Sequence, residues 1–197
     1  MLSVNDLAKA SNEELARIDP LVMNLLVAKS IPSLSDLDIA HYQQLADKWA
    51  YGVRKRLPKA EAEFRKTPQD WKNDIRFVRL AVMCEYVDRE LGIGYREDQK
   101  DLTAVAYTDP SDLFLNGVMD TRQGTCGNMS ALHVALGWRL GWPVSLASVA
   151  FHHICRYDDG EVTHNIEATL TGKGGFGSPS DDYYVTVHGL PLPLRGW

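Results

Sequence analysis

At 197 residues, 45% of them hydrophobic and 24% charged, the chain has the composition of a globular protein able to bury a real core in one domain, with or without an appended lobe. Its net charge of −5 gives no sign of a broad nucleic-acid footprint. The longest apolar run, PLVMNLLVA, is broken by Asn24 and is well short of the roughly 20 residues a membrane span needs. The opening MLSVNDLAKASNEELARI has no apolar stretch behind a basic start, so no secretory signal is visible. Three cysteines, with no CxxC pair, argue against a disulfide framework and for a reducing compartment. The expectation is a cytoplasmic protein with no nucleic-acid or membrane partner. The basic cluster Arg54, Lys55, Arg56 is followed closely by acidic residues and reads as a solvated helix face.

The first half reads as helical. SNEELARIDPLVMNLLVAK opens on Ser11 with Glu14 three residues on, a capping box, and Pro20 should break or restart the helix. In SLSDLDIAHYQQLADKWAYGVRKRL, apolar residues at Ile39, Tyr42, Leu45, Ala46, Trp49 and Val53 keep a helical period that Pro58 is expected to end. A third helix is expected from Thr67 as N-cap and Pro68 at the first position, stopping at Gly92. Its stripe Trp71, Ile75, Val78, Val82, Tyr86 makes Cys84 a packing residue. Gly92 to Pro110 reads as loop, TDPSD as a turn that starts a short helix, and Cys126 as the start of a longer one. Met129, Leu132, Leu136 and Leu140 carry that longer helix until Gly141 and Pro143 stop it.

Beyond Pro143 the residues become β-branched and aromatic. VSLASVAFHHICRY reads as a strand, DDGE as a hairpin turn, THNIEAT as its partner, GKGGFGSPSDD as a glycine-rich loop and YYVTVHG as a further strand. The expected class is α+β: a helical N-terminal region over 1–110, then a core over 111–197 with a central helix and an antiparallel sheet. The tail LPLPLRGW ends abruptly, which fits a chain continuing beyond Trp197.

Cys126, flanked by Thr125, Gly127 and Asn128, lacks the apolar neighbours of a structural cysteine. At a helix N-terminus the free N–H groups and the dipole favour a thiolate, and the same N–H groups suit a developing oxyanion. Gly124 and Gly127 would admit a substrate backbone, and Gln123 or Asn128 would add a side-chain donor. A base must come from elsewhere. Read as one strand, Val149, Phe151, His153, Cys155 and Tyr157 share one face, and Ser148, Ala150, His152, Ile154 and Arg156 the other. The small residues of the second face suit a closely packed helix, which favours His152 and leaves His153 as a core or supporting histidine. Asn165 and Glu167 share a face of the next strand, and either can orient the imidazole. A metal site from His152, His153, Cys155 and His164 competes, without the spacing that would favour it.

GTCGNMSALHVALGWRLGWPV resembles the G-x-C, helix, L-G-x-P stretch of the transglutaminase-like superfamily, which has a papain-like cysteine-protease fold. HHICRYDDG is similar to that family's histidine strand, and HNIEAT to the strand carrying its acid. The resemblance implies a catalytic Cys126, His152 and Glu167, with no cofactor or metal. DLDIAHYQQLADKWAYGVRKRL, CEYVDRELGIGY and YTDPSDLFLNGVMDTRQG resemble the bacterial SirB-type branch. Three residues depart from the common pattern: Glu167 stands for aspartate, Ala168 for proline, and Gly127 where many transglutaminases carry tryptophan. The implied function is cysteine-dependent hydrolysis or acyl transfer on a peptide or protein amide. The alternative is a non-catalytic binding or assembly module on the same fold.

Overall fold

The structure is a computed structural model that describes residues 2–96, 98, 107–149, 152–170 and 177–188. Capping chemistry sets its first helices. Capping boxes pair Ser3 with Asp6 at α1 (Val4–Lys9), and Ser11 with Glu14 at α2 (Asn12–Leu15). The helix restarts at Pro20 as α3 (Pro20–Ala28), where the Asp19 carboxylate accepts the Leu21 N–H at 2.9 Å. Pro20 takes the first helical position, where a missing N–H is harmless.

Pro58 does not end the next helix, contrary to expectation, and α4 runs from Ile39 to Phe64. The proline removes one ladder N–H and crowds the carbonyl a turn earlier. The buried residues of α4, Ala46, Trp49, Ala50 and Val53, all precede it, and beyond it Glu61 is tied to Arg79 at 2.8 Å. The helix expected at Thr67 also starts later. Pro68–Trp71 forms one tight turn, Lys72 and Asn73 take left-handed backbone at φ 56° and 55°, and α5 (Ile75–Glu85) begins after Asp74. The Asp74 carboxylate caps the Arg76 N–H at 2.9 Å, whereas Thr67 makes no side-chain cap. Helical winding continues as a wider turn over Tyr86–Glu90 and stops at Gly92, whose φ of 64° suits glycine. Cys84 is buried, as the packing pattern predicts.

The stretch read as loop holds β1 (Gly94–Tyr95), which pairs in parallel with β2 (Gln123–Gly124) after α6 (Leu115–Thr121). The central helix is α7 (Cys126–Arg139), and Gly141 turns the chain away from it at φ 77°. It is buried on almost every side because it packs against α3, α4 and α6 and also against the sheet.

That sheet is antiparallel in the order β3–β4–β5: β3 (Val144–Val149), β4 (His152–Asp158) and β5 (Thr163–Ile166). The run expected as one strand is therefore two, registered from Val144 opposite Tyr157 to Val149 opposite His152. The sequence gives no hint of this reversal, since Ala150 and Phe151, which lie outside the described residues, are not turn formers. The DDGE hairpin is present, with Gly160 at φ 83° between β4 and β5. YYVTVHG forms no strand. Its described residues, Tyr183 to His188, lie in α8 (Asp181–His188), anchored by Asp181 to Arg156 at 2.9 Å and by the buried Tyr184 against Ala147 and Ile154. Tertiary packing overrides its β-branched composition there. The glycine-rich stretch over 171–176 lies outside the described residues.

The argument from strand faces is also overturned. Leu146, Cys155, Tyr157 and Ile166 join Met129, Leu132 and Leu136 of α7 in the main core, so the helix covers the apolar face rather than the small-residue face. A Cβ on Gly137 of α7 would come within 2.6 Å of Val144 Cγ2. Gly137→Ala is therefore expected to lower stability by about 1–2 kcal/mol in urea unfolding, overpacking outweighing the gain of ~1 kcal/mol in helix propensity.

The far end of α7 is fixed by charge. The Arg139 side chain, only 6% exposed, forks onto the Asp19 carboxylate, with its Nη1 at 2.9 Å, and its Nε reaches Asp47 at 2.9 Å. One carboxylate thus caps α3 and clamps α7. Arg139→Ala strands Asp19 nearly buried without its cation and should cost about 3–5 kcal/mol by the same measurement.

Candidate active site

Cys126 is the first residue of α7, and the segment before it is clamped on both sides. The β1–β2 ladder places Gly94 N–H on the Arg122 carbonyl and Arg96 N–H on the Gly124 carbonyl, both at 3.0 Å. Thr125, fully buried, donates its N–H to Asn128 Oδ1 at 2.8 Å and its hydroxyl to the Asp112 carbonyl at 2.7 Å. The Asp112 carboxylate is in turn paired with Arg96. Gly124 is needed for this packing, since a Cβ there would lie 2.5 Å from Met129 Cγ and 2.6 Å from Asn128 Oδ1. Its space is taken by the chain itself rather than left for a substrate backbone.

His152 opens β4 at the end of the sheet beside the α7 N-terminus. Ser130 Oγ of α7 donates to the His153 carbonyl at 2.9 Å, drawing helix and strand together. His152 Nε2 lies 3.0 and 2.9 Å from the two carboxylate oxygens of Glu167, and the same ring hydrogen-bonds Cys126. With Nε2 facing Glu167, Nδ1 is the nitrogen left to meet the thiol. The longer glutamate side chain thus spans to the imidazole.

Glu167 is buried and held from several sides. Its Oε1 accepts the Thr169 hydroxyl at 2.7 Å and the Thr169 N–H at 3.1 Å, and its Oε2 accepts the Tyr184 hydroxyl at 3.1 Å. The Tyr184 ring also stacks on His152, with centroids 6.4 Å apart. Ala168, where the family commonly has proline, opens the short turn Ala168–Leu170 that delivers Thr169 to the carboxylate.

The electrostatics favour charge separation. Burial works against a thiolate at Cys126, but hydrogen bonds from His152 and Tyr107, the His152 charge and the His153 N–H outweigh it and hold the thiol below its ordinary value. Burial likewise works against a charged His152, yet bonds to Cys126 and Glu167 push it up to about 9. Glu167 sits below the usual carboxylate range despite burial, because His152 and Thr169 stabilise its anion. By contrast, burial pushes the Cys84 and Cys155 thiols up. The arrangement favours a thiolate beside an imidazolium backed by a carboxylate.

The other sequence candidates lie as follows. Gln123 is exposed and contributes backbone pairing. Asn128 spends its side chain on the Thr125 N–H and, through Nδ2, on the Ser111 and Phe114 carbonyls at 3.0 and 3.4 Å. Asn165 bridges Arg156, the Pro179 carbonyl and Asp181, tying β5 to α8. His153 Nδ1 meets Ser148 Oγ at 2.9 Å, and His164 pairs with Asp74 at 2.8 Å, so the competing histidines point to separate partners. Among the described residues no group of three or more His, Cys, Asp or Glu is placed to hold a metal ion. No helix among them is long and apolar enough to cross a membrane.

Sequence reasoning missed two tyrosines. Tyr107 Oη lies 3.4 Å from Cys126 Sγ, and Tyr184 touches both His152 and Glu167. Tyr107 stands in a stretch that reads as loop, and Tyr184 in one that reads as strand, so no local signal assigns either to the site.

The central helix thus begins on a cysteine, with a histidine from β4 and a glutamate from just beyond β5 brought beside it. A sequence model of the transglutaminase-like superfamily matches residues 40–184, and the chain belongs to that superfamily. A crystal structure of a TGase superposes with a TM-score of 0.43 at 16% identity, covering 73% of this chain and 36% of that one. The chain thus spans about a third of that protein's length. No curated protein matches the sequence.

Proposed function

We propose that this protein is a cysteine-dependent acyl-transfer enzyme acting on a peptide or protein amide, by hydrolysis or by transfer to an amine. The observation that carries the reading is one imidazole shared between a cysteine at a helix N-terminus and a buried, hydrogen-bonded glutamate. In this mechanism Cys126 thiolate attacks the carbonyl carbon, forming a C–S bond as the carbonyl π electrons move to oxygen. Collapse of that adduct breaks the C–N bond while His152 gives its proton to the leaving amine. Water or a second amine then attacks the thioester, returns a proton to His152 and releases the thiolate. Glu167 holds the ring orientation and stabilises the imidazolium throughout. We place the protein with the SirB-type members of the superfamily on its upstream helical blocks.

The test compares wild type with Cys126→Ala against a proteome-derived peptide mixture by mass spectrometry. Cleaved or amine-modified amides formed by wild type and absent with Cys126→Ala are the expected result. Identical peptide profiles would overturn the proposal and favour a binding module.

A further inference from the structure

Thiolate addition to a carbonyl places negative charge on oxygen, and rate follows from donors already aimed at that oxygen. The first N–H groups of α7 have no partner within the helix and supply main-chain donors. The side-chain donors suggested by sequence are otherwise placed, Asn128 on backbone carbonyls and Gln123 exposed. We propose that Tyr107 is a catalytic residue, its phenolic O–H donating to the oxyanion formed at Cys126. The proposal rests on the acyl-transfer reading above and adds a residue to it.

Three observations support the assignment. The hydroxyl is 3.4 Å from Cys126 Sγ, which leaves it within reach of an oxygen on the carbon that bonds to that sulfur. An oxyanion donor needs to lie about 2.7–3.1 Å from that oxygen. Tyr107 also takes left-handed backbone at φ 46°, an outlier for a bulky residue that persists only where its surroundings enforce it. Gly127 explains how the ring fits: a Cβ there would sit 3.3 Å from the Tyr107 hydroxyl. The glycine that replaces the family's frequent tryptophan thus makes room for this phenol. Burial, together with the hydrogen bond and charge of Cys126, pushes the Tyr107 pKa well above its usual value, so the hydroxyl keeps its proton.

In the resting site the O–H donates to the thiolate. As the C–S bond forms, sulfur loses its charge and oxygen gains it, so the hydrogen bond passes from sulfur to oxygen. Such a bond strengthens along the reaction when the oxygen is the better acceptor, which is the requirement for catalysis rather than mere binding.

The test separates acylation from alkylation at the same thiol. Acylation of Cys126 by p-nitrophenyl acetate passes through an oxyanion, whereas alkylation by iodoacetamide displaces iodide at a saturated carbon and forms none. Tyr107→Phe removes only the hydroxyl. Its acylation rate, read by mass spectrometry at Cys126, should fall by about 100-fold, the scale of losing one oxyanion donor. Its alkylation rate, with both rates compared on the alkaline plateau where Cys126 is fully ionised, should stay within a few-fold of wild type. Equal falls in both rates would make Tyr107 a tuner of the thiolate only, and no change in either would leave it no role; both results overturn the proposal. Wild-type Cys126 inert to both reagents would overturn the acyl-transfer reading itself.

Discussion

Iodoacetamide at pH 6 is expected to modify Cys126 while leaving Cys84 and Cys155 intact. The latter two are buried, and burial pushes their thiols up, so almost no thiolate exists at that pH. Cys126 is also largely enclosed, at 5% exposure, but hydrogen bonds from His152 and Tyr107 favour its anion and lower its pKa. An ordinary thiol with a pKa near 8.5 is less than about 1% ionised at pH 6. Losing the ion pair in His152→Ala should therefore slow alkylation on the order of 10–100-fold, the lower nucleophilicity of an acidic thiolate offsetting part of the difference. The pH profile gives the sign of each group. Alkylation rises with pH through the lowered Cys126 value, where the thiolate forms. Amide turnover needs His152 protonated for the leaving amine, so it should fall again as pH climbs through about 9. Equal labelling of all three cysteines, or a profile for Cys126 that rises only above pH 8, would contradict the ion pair.

Glu167→Gln should reduce amide turnover roughly 10³–10⁴-fold, the scale seen when the acid of a triad becomes an amide. The carboxylate is the group that pushes the His152 pKa up besides Cys126, through both its hydrogen bond and its charge. An amide removes the charge and puts an N–H where the imidazole needs an acceptor. His152 then loses its proton at lower pH, so the alkaline limb of the activity profile should shift toward neutrality. The Cys126 thiol should become less acidic in step. Thr169 bonds Oε1 and Tyr184 bonds Oε2, so on glutamine one hydroxyl keeps an oxygen acceptor and the other must turn to accept from the amide N–H. Urea unfolding should still move less than activity does. A variant that keeps its alkaline limb near 9 would show that Glu167 does not set the imidazolium.

What was legible in the sequence is what a few neighbouring residues decide. The box at Ser11–Glu14, the restart at Pro20, the Gly141 and Gly160 turns, and the start of α7 at Cys126 are each written within a few positions. Orphan N–H groups and positive φ values must be answered locally, so the answering residues stand close by. Pro58 shows the limit of such signals, because one lost ladder bond is too little to stop a helix already nucleated and packed. The family blocks added the order of Cys126, His152 and Glu167.

Only the tertiary structure decided the rest. The reversal between Val149 and His152 has no turn chemistry in its sequence, yet it decides that Leu146 and Ser148 of β3 lie opposite Cys155 and His153. The segment Asp181–His188 is rich in strand formers but folds as a helix because Tyr184 is buried beside Glu167 and Asp181 meets Arg156. Tyr107 reaches Cys126 across 19 residues of chain through a backbone conformation that no local pattern announces. These contacts join residues distant in sequence, and their energy comes from burial and charge pairing that exist only once the chain has closed around α7.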